Sequence, residues 1–233
     1  VYDQYDTFKG WHNYFQYSEE QNRYFTKEFQ GFSLTGKRIL EIGYGEGSLL
    51  AWMRDRGAHV VGVELNERSL EEATKQGISA FSDLESAFKE KTKPFDLIVA
   101  FDVLEHLQVE EINSLLGQAK ANLSANGCLF IRVPNGRSPW GLVNQYGDLT
   151  HCTVLSDLRL QQLALNAGYT LKSCRDQAQV TRKRLRKRML DIVFHFARRT
   201  VDFLIRRIYG FGNIPLGSNI VAILAPKKTH DGH

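Results

Sequence analysis

The stretch Ile39-Leu40-Glu41-Ile42-Gly43-Tyr44-Gly45-Glu46-Gly47-Ser48 constrains this chain more than any other. Ile39 to Ile42 read as the end of a buried strand. Gly43, Gly45 and Gly47 permit a tight turn and let a ligand approach the backbone closely. Ser48 to Trp52 open a helix, and the free N–H groups of its first turn point at whatever occupies the glycine turn. The third glycine follows the second by two residues, so the run is not the G-x-G-x-x-G dinucleotide fingerprint. No Gly-Lys-Ser/Thr follows, so it is not a P-loop. A strand–turn–helix nucleotide site is expected. The structural alternative is a glycine turn that merely closes an α/β unit.

Beyond the turn, strands and helices alternate. Arg38–Ile42, His59–Leu65, Ile78–Phe81, Phe95–Phe101, Cys128–Val133, Tyr169–Cys174 and Asn219–Leu224 read as strands. Helices are expected over Ser48–Arg56, from an Asn66 cap to Gln76, over Glu110–Leu123 and over Leu158–Ala167. This alternation predicts an α/β fold: a doubly wound, largely parallel, seven-stranded, Rossmann-like sheet. Such sheets bind ligands beyond the carboxyl ends of their strands.

A chain of 233 residues, 42% hydrophobic, can bury one good core. It carries no apolar run of the length needed to span a membrane. The start Val1-Tyr2-Asp3-Gln4-Tyr5-Asp6 lacks the basic and apolar regions of a signal peptide. Cys128, Cys152 and Cys174 form no CxxC pair, so free thiols in a reducing cytoplasm are expected. Residues 1–36 are expected to form an aromatic-rich helical cap. They carry Trp11, Tyr14, Phe15, Tyr17, Tyr24, Phe25, Phe29 and Phe32, with Tyr2, Tyr5 and Phe8 before them. This cap reads as a helix pair packed by its aromatics, or as a lid over the ligand, two roles that are compatible. The central domain is expected over 37–178 and 215–228, with a basic helical insertion over 179–214 before the last strand.

Acidic residues stand where the strands end. Glu64 closes the second strand, where a carboxylate can accept both ribose hydroxyls of an adenosine. Asp83 follows the third strand, where it can hold an adenine amino group while Leu84 packs on the ring; a helix N-cap is the alternative. Phe101-Asp102 ends the fourth strand, beside the first. In order and spacing, Glu41-x-Gly43-x-Gly45-x-Gly47, Glu64, Asp83 and Phe101-Asp102 resemble the motif series of class I S-adenosylmethionine (SAM) methyltransferases from residue 37 to about 175. The resemblance implies SAM as cofactor. It implies that Gly43, Gly45 and Gly47 cradle the methionyl part, that Glu41 orients the turn and the amino group, that Glu64 holds the ribose, and that Asp83 with Leu84 holds the adenine. Tyr44 and Leu65 border these positions and are counted with the site. NAD is the competing cofactor.

On the acceptor side, Asp102-Val103-Leu104-Glu105-His106 would bring Asp102, Glu105 and His106 to one face if a helical turn starts there. A second histidine, His151, ends Tyr146-Gly147-Asp148-Leu149-Thr150-His151 in a long loop after the fifth strand. Methyl transfer to a hydroxyl needs a base, or a metal that stabilises the oxyanion. Glu105, His106 and His151 are therefore candidate catalytic residues or ligands of a divalent metal; satisfied structural histidines are the alternative. Acidic-x-x-Glu-His with a distant His is similar to the metal-binding set of small-RNA 3′-end methyltransferases and of ubiquinone-pathway O-methyltransferases, with Asp102 where the first group has Glu. The run Val133-Pro134-Asn135, Tyr146 to His151, Ser156-Asp157-Leu158 and Ala167-Gly168-Tyr169 resembles methyltransferases associated with bacterial cell-surface polysaccharide synthesis.

The charge is uneven. Residues 181–210 carry a net +8, which leaves −4 for the rest of a chain whose net charge is +4. Leu185, Met189, Ile192, Val193, Phe196, Leu204 and Ile208 recur there at helical spacing. A basic amphipathic helix fits an anionic membrane surface or a partner protein; the alternatives are a helix docked on the chain's own core or in a homo-oligomer interface, and RNA binding. An acidic main domain argues against a nucleic-acid channel. The expectation is a cytoplasmic SAM-dependent methyltransferase, peripheral on the inner membrane face, that O-methylates a hydroxyl of a glycan or lipid-linked sugar. The alternatives are metal-assisted O-methylation of a quinone-like phenol or an RNA 3′ end, and an inactive SAM-binding scaffold.

Overall fold

The structure, a computed structural model, describes residues 10–89, 93–181 and 185–227. The strands are β1 (Arg38–Ile42), β2 (His59–Val63), β3 (Ser79–Phe81), β4 (Phe95–Phe101), β5 (Leu123–Pro134), β6 (Tyr169–Asp176) and β7 (Asn219–Pro226). They form one sheet in the order β3-β2-β1-β4-β5-β7-β6. Only β7 runs against the others: it is antiparallel to both β5 and β6. The order reverses between β1 and β4, and the mouth of a ligand crevice lies at such a switch point.

The helices are α1 (Glu19–Glu28), α2 (Ser48–Arg54), α3 (Glu67–Lys75), α4 (Leu84–Lys89), α5 (Val109–Asn122), α6 (Pro139–Gln145), α7 (Asp157–Asn166) and α8 (Leu185–Ile208). Of the expected N-terminal pair, α1 lies among the described residues; Tyr2, Tyr5 and Phe8 lie outside them. Ser18 caps α1 through a capping box with Gln21, which satisfies two orphan N–H groups. Asn66 caps α3 by accepting the Ser69 N–H at 3.0 Å.

Each strand sends alternate side chains to opposite faces, and both faces are covered. On one face Ile98, Ala100, Leu129 and Ile131 meet Ile112 and Leu116 of α5 and Leu160 of α7. On the other Ile39, Val99, Phe101 and Phe130 meet Phe25 of α1, Phe29 at its C-terminal cap and Trp52 of α2. Phe29 is central there: its ring lies 4.7 Å from Phe130, 5.8 Å from Trp52 and 5.9 Å from Phe101. Burying such a ring contributes about 1.5–3 kcal/mol. The cap aromatics therefore seal one face of the sheet as well as bordering the ligand crevice.

β5 starts five residues before the expected Cys128, because Leu123 pairs with Phe95 across an irregularity in β4. The three cysteines are free. Among the described residues no helix is long and apolar enough to cross a membrane.

Candidate active site

The glycine turn is built by backbone geometry that other residues resist. Gly43, Gly45 and Gly47 have φ of 69°, 56° and 75°, a left-handed region costly for residues with a Cβ. A Cβ on Gly47 would stand 2.4 Å from the Phe15 ring, and one on Gly45 would stand 2.8 Å from Trp11. The segment before α1 is thus laid on the turn, fixed by the Phe15 N–H to the Glu46 carbonyl at 2.7 Å.

Glu64 clamps the turn from β2: one oxygen accepts the Gly45 N–H at 2.8 Å and the other accepts the N–H groups of Leu65 and Asn66. Glu41 is buried, and its Oε2 has no hydrogen-bond partner among the described residues. Burial pushes its carboxyl well above the usual carboxylate range; the Arg132 guanidinium works against that shift and the Glu64 charge adds to it.

A cleft of about 1210 Å³ runs from this turn past Leu65, Asp83 and Leu84 to the near side of α5, and from the turn to Asp102, Arg132 and His106. Asp83 caps α4, accepting the Ser86 N–H and hydroxyl, each at 2.8 Å. It takes the capping role while still bordering the cleft. Leu65 stands 74% exposed at the rim. The Tyr44 ring turns into the core over Gly62 and beside Phe15, so its backbone belongs to the turn while its side chain fills space behind it.

Asp102 corrects the sequence expectation. Its φ of 56° reverses the chain before a 3-10 turn that begins only at Leu104. Its carboxylate therefore leaves Glu105 and His106 and pairs with Arg132, Nε to Oδ1 at 3.0 Å and Nη2 to Oδ2. A left-handed aspartate costs on the order of 1–2 kcal/mol, which the surrounding structure must offset. Arg132 Nη1 donates to the Tyr24 hydroxyl at 2.8 Å, and the guanidinium lies 4.5 Å from the Phe101 ring centre. Burial pushes the Tyr24 phenol up to about 12, with Arg132 pulling the other way. Sequence reasoning missed Arg132, because an isolated arginine in a strand carries no signal of its own.

Glu105, His106 and His151 do converge. One ligand atom from each lies within 4.8 Å of the others, and the imidazole centres are 4.5 Å apart. Two backbone bonds bring them together: the Glu105 carbonyl accepts the N–H groups of Cys152 at 2.9 Å and Thr153 at 3.0 Å. The loop after β5 is thereby fastened to the turn after β4. At its other end α6 is anchored by Ser138, whose hydroxyl donates to the Leu216 carbonyl at 2.7 Å. Gly141 lets α6 lie against Asn135, whose carbonyl would stand 2.1 Å from a Cβ.

The partners assign the tautomers. Thr150 donates its hydroxyl proton to Asp148 Oδ1 at 2.6 Å, so it accepts from His106 Nδ1 at 2.8 Å. His151 Nδ1 donates to the Gln145 carbonyl at 3.1 Å. In their neutral forms both imidazoles thus carry the lone pair on Nε2, and that of His151 lies 3.9 Å from Asp148 Oδ2. Orientation of this kind is characteristic of metal-bound histidine, and two imidazoles with a buried carboxylate form a donor set that fits a divalent cation.

The residues present also fit SAM: a glycine turn that brings backbone to the ligand, Glu64 at a strand end, and the orphaned Glu41 oxygen. Fold and site together define a class, the SAM-dependent methyltransferase domain. Residues 11–173 match the family described as "Methyltransferase domain", and the chain belongs to it. The chain is 31% identical over 114 residues to a protein of Bordetella avium named ubiquinone biosynthesis O-methyltransferase, a match covering 46% of each. It is 28% identical over 131 residues to one of the same name from Pasteurella multocida, covering 49% of this chain and 53% of that protein. The chain thus spans about half the length of these curated relatives. A SAM-dependent methyltransferase from Archaeoglobus fulgidus has the same fold, with a TM-score of 0.62 at 21% identity, covering 89% of this chain and 91% of that one.

Proposed function

We propose that this chain is a SAM-dependent O-methyltransferase whose Glu105, His106 and His151 serve the acceptor hydroxyl, and that this hydroxyl belongs to an amphiphilic, lipid-linked molecule. The observation that carries the reading is the convergence of these three side chains within 4.8 Å, with His106 at the cofactor cleft.

SAM supplies the methyl group and the leaving group. The protein's share is to hold the acceptor oxygen in line and dispose of its proton. Glu41, Glu64 and the glycine turn hold the cofactor, with Asp83, Leu84 and Leu65 along its adenosine end. Phe101 forms the wall toward the acceptor. A divalent cation held by Glu105, His106 and His151 would act as a Lewis acid on the acceptor oxygen. Without one, His106 or His151 can take the proton directly, since Nε2 carries the lone pair in both.

The name of the curated relatives favours a phenolic hydroxyl of a quinone-like lipid over the glycan first expected. The motif run from Val133 to Tyr169 supports the sugar of a lipid-linked glycan as the second reading.

α8 supports a lipid-linked acceptor in either case. Among its described side chains the half-buried ones are Asp191, Asp202, Ile205 and Arg206, mostly polar, while Val193, Phe194, Phe196 and Phe203 are at least 60% exposed. The apolar side of this helix therefore faces away from the protein. At about 1.5 Å per residue its 24 residues extend roughly 36 Å. An outward apolar face with a strong positive charge suits the surface of an anionic bilayer. Part of that charge, Arg182 to Arg184, lies outside the described residues. Because β6 ends and β7 begins at the carboxyl edge of β5, α8 emerges at the same edge of the sheet as the acceptor cluster.

The test is to incubate the protein and methyl-labelled SAM with a membrane lipid extract, with and without chelator. Label is expected on a hydroxyl of a lipid-linked phenol or sugar, and chelator is expected to stop it. Label confined to water-soluble or RNA fractions overturns the lipid-linked acceptor. Transfer unaffected both by chelator and by replacing His106 and His151 removes the cluster from the chemistry.

A further inference from the structure

We propose that Arg132 is the receptor for the carboxylate of the cofactor's methionine end, so that Glu41 and Arg132 together read the ligand's amino-acid zwitterion. The inference rests on SAM as the cofactor and adds a residue and a specificity to that site.

The placement follows from strand register. Glu41 of β1 lies opposite Val99 of β4, and Arg132 of β5 lies opposite Phe101 of β4. Val99 and Phe101 point to the same face, so Glu41 and Arg132 do too, with Arg132 one pleat nearer the carboxyl edge. Both line the cleft. The arginine is near enough to Glu41 for its charge to act on that carboxyl.

The chemistry at the two ends is complementary. Glu41 offers a buried oxygen without a partner among the described residues, which suits an ammonium. Arg132 commits three of its five N–H donors, two to Asp102 and one to Tyr24, which leaves two for a ligand. Asp102 and Tyr24 fix the guanidinium on the Phe101 ring, so little rotamer freedom is lost when it binds.

The rest of the cleft would repel a carboxylate. Seven carboxylates line it against two guanidiniums. The second, Arg68 of α3, stands 5.4 Å over the Tyr14 ring, toward the adenosine end. An anion in this cleft therefore has its best partner at Arg132. The left-handed backbone of Asp102, unusual for a residue with a side chain, is what aims that carboxylate at the guanidinium.

The test is calorimetry with SAM and with its decarboxylated analogue, which keeps the sulfonium and amine but lacks the carboxylate. Wild type should bind SAM roughly 10- to 100-fold more tightly. Arg132→Gln should abolish the preference for SAM, while the doubly cationic analogue, which loses a repelling charge, binds no more weakly than to wild type. Arg132→Lys, which keeps the charge and loses the fork, should retain part of the preference; a full loss in a folded Lys variant together with the analogue would mean a packing role and overturn the proposal. Equal affinity of wild type for the two ligands also overturns it while leaving SAM as cofactor intact, and needs no variant to fold. Binding of neither ligand defeats the cofactor reading and this inference together.

Discussion

The Thr150 hydroxyl lies 2.8 Å from Nδ1 of His106 and donates its own hydrogen bond to Asp148, which leaves the lone pair of a neutral His106 on Nε2. Thr150→Val keeps the shape and removes that bond. Turnover or metal affinity should fall about 10- to 100-fold, as expected when the partner of a working histidine is lost. SAM affinity should hold, and Thr150→Ser should restore activity. Metal titration and single-turnover assays read this out; full activity in the Val variant would detach His106 from the reaction.

Glu41 makes stability depend on pH. Burial raises its carboxyl pKa in the folded chain above the ordinary value, so the folded state binds the proton more tightly than the unfolded state does. Its contribution to stability is complete below the unfolded pKa and is lost as pH rises through the raised folded value. Glu41→Gln, which stays neutral at every pH, should therefore raise the melting temperature of the ligand-free protein at pH 8. The gain should shrink toward pH 4.5. The same variant should bind SAM more weakly. Thermal melts across that range are the measurement, and a constant gain would show that Glu41 does not titrate as described.

Gly47 tests the turn. Its φ is 75° and a Cβ would meet Phe15 at 2.4 Å. Gly47→Ala should cost ~1–3 kcal/mol in denaturant unfolding, from backbone strain plus displacement of the ring. Pairing it with Phe15→Ala should recover the steric part only. A neutral Gly47→Ala would mean that the cap is not seated on the turn.

α8 can be altered without touching the buried core, since among the described residues none of its side chains belongs to it. Replacing Phe194, Phe196 and Phe203 by serine should leave the melting temperature nearly unchanged. It should abolish sedimentation with anionic vesicles at low salt. High salt should weaken wild-type binding by screening the basic residues. Equal sedimentation of variant and wild type would place any membrane contact elsewhere.

Local sequence determined the strand–turn–helix at Ile39 to Trp52, because glycine spacing and apolar runs act through the backbone over a few residues. It also determined that Glu105 and His106 share one turn, being adjacent, and that strands alternate with helices. Their meeting with His151 required tertiary structure: His106 and His151 are 45 positions apart, and the bonds from Cys152 and Thr153 to the Glu105 carbonyl close that distance. Asp102 looked like a member of the same cluster, but one left-handed residue turned it to Arg132, a partner 30 positions away. Tyr44 reads as part of the turn, yet its ring fills the space left by Gly62 on the neighbouring strand. Periodicity marked α8 as amphipathic but could not say which side faces the protein, since that depends on what the neighbouring elements offer to pack against. Backbone preferences are local and legible in the chain; the direction a side chain finally takes is decided by partners that only folding brings near.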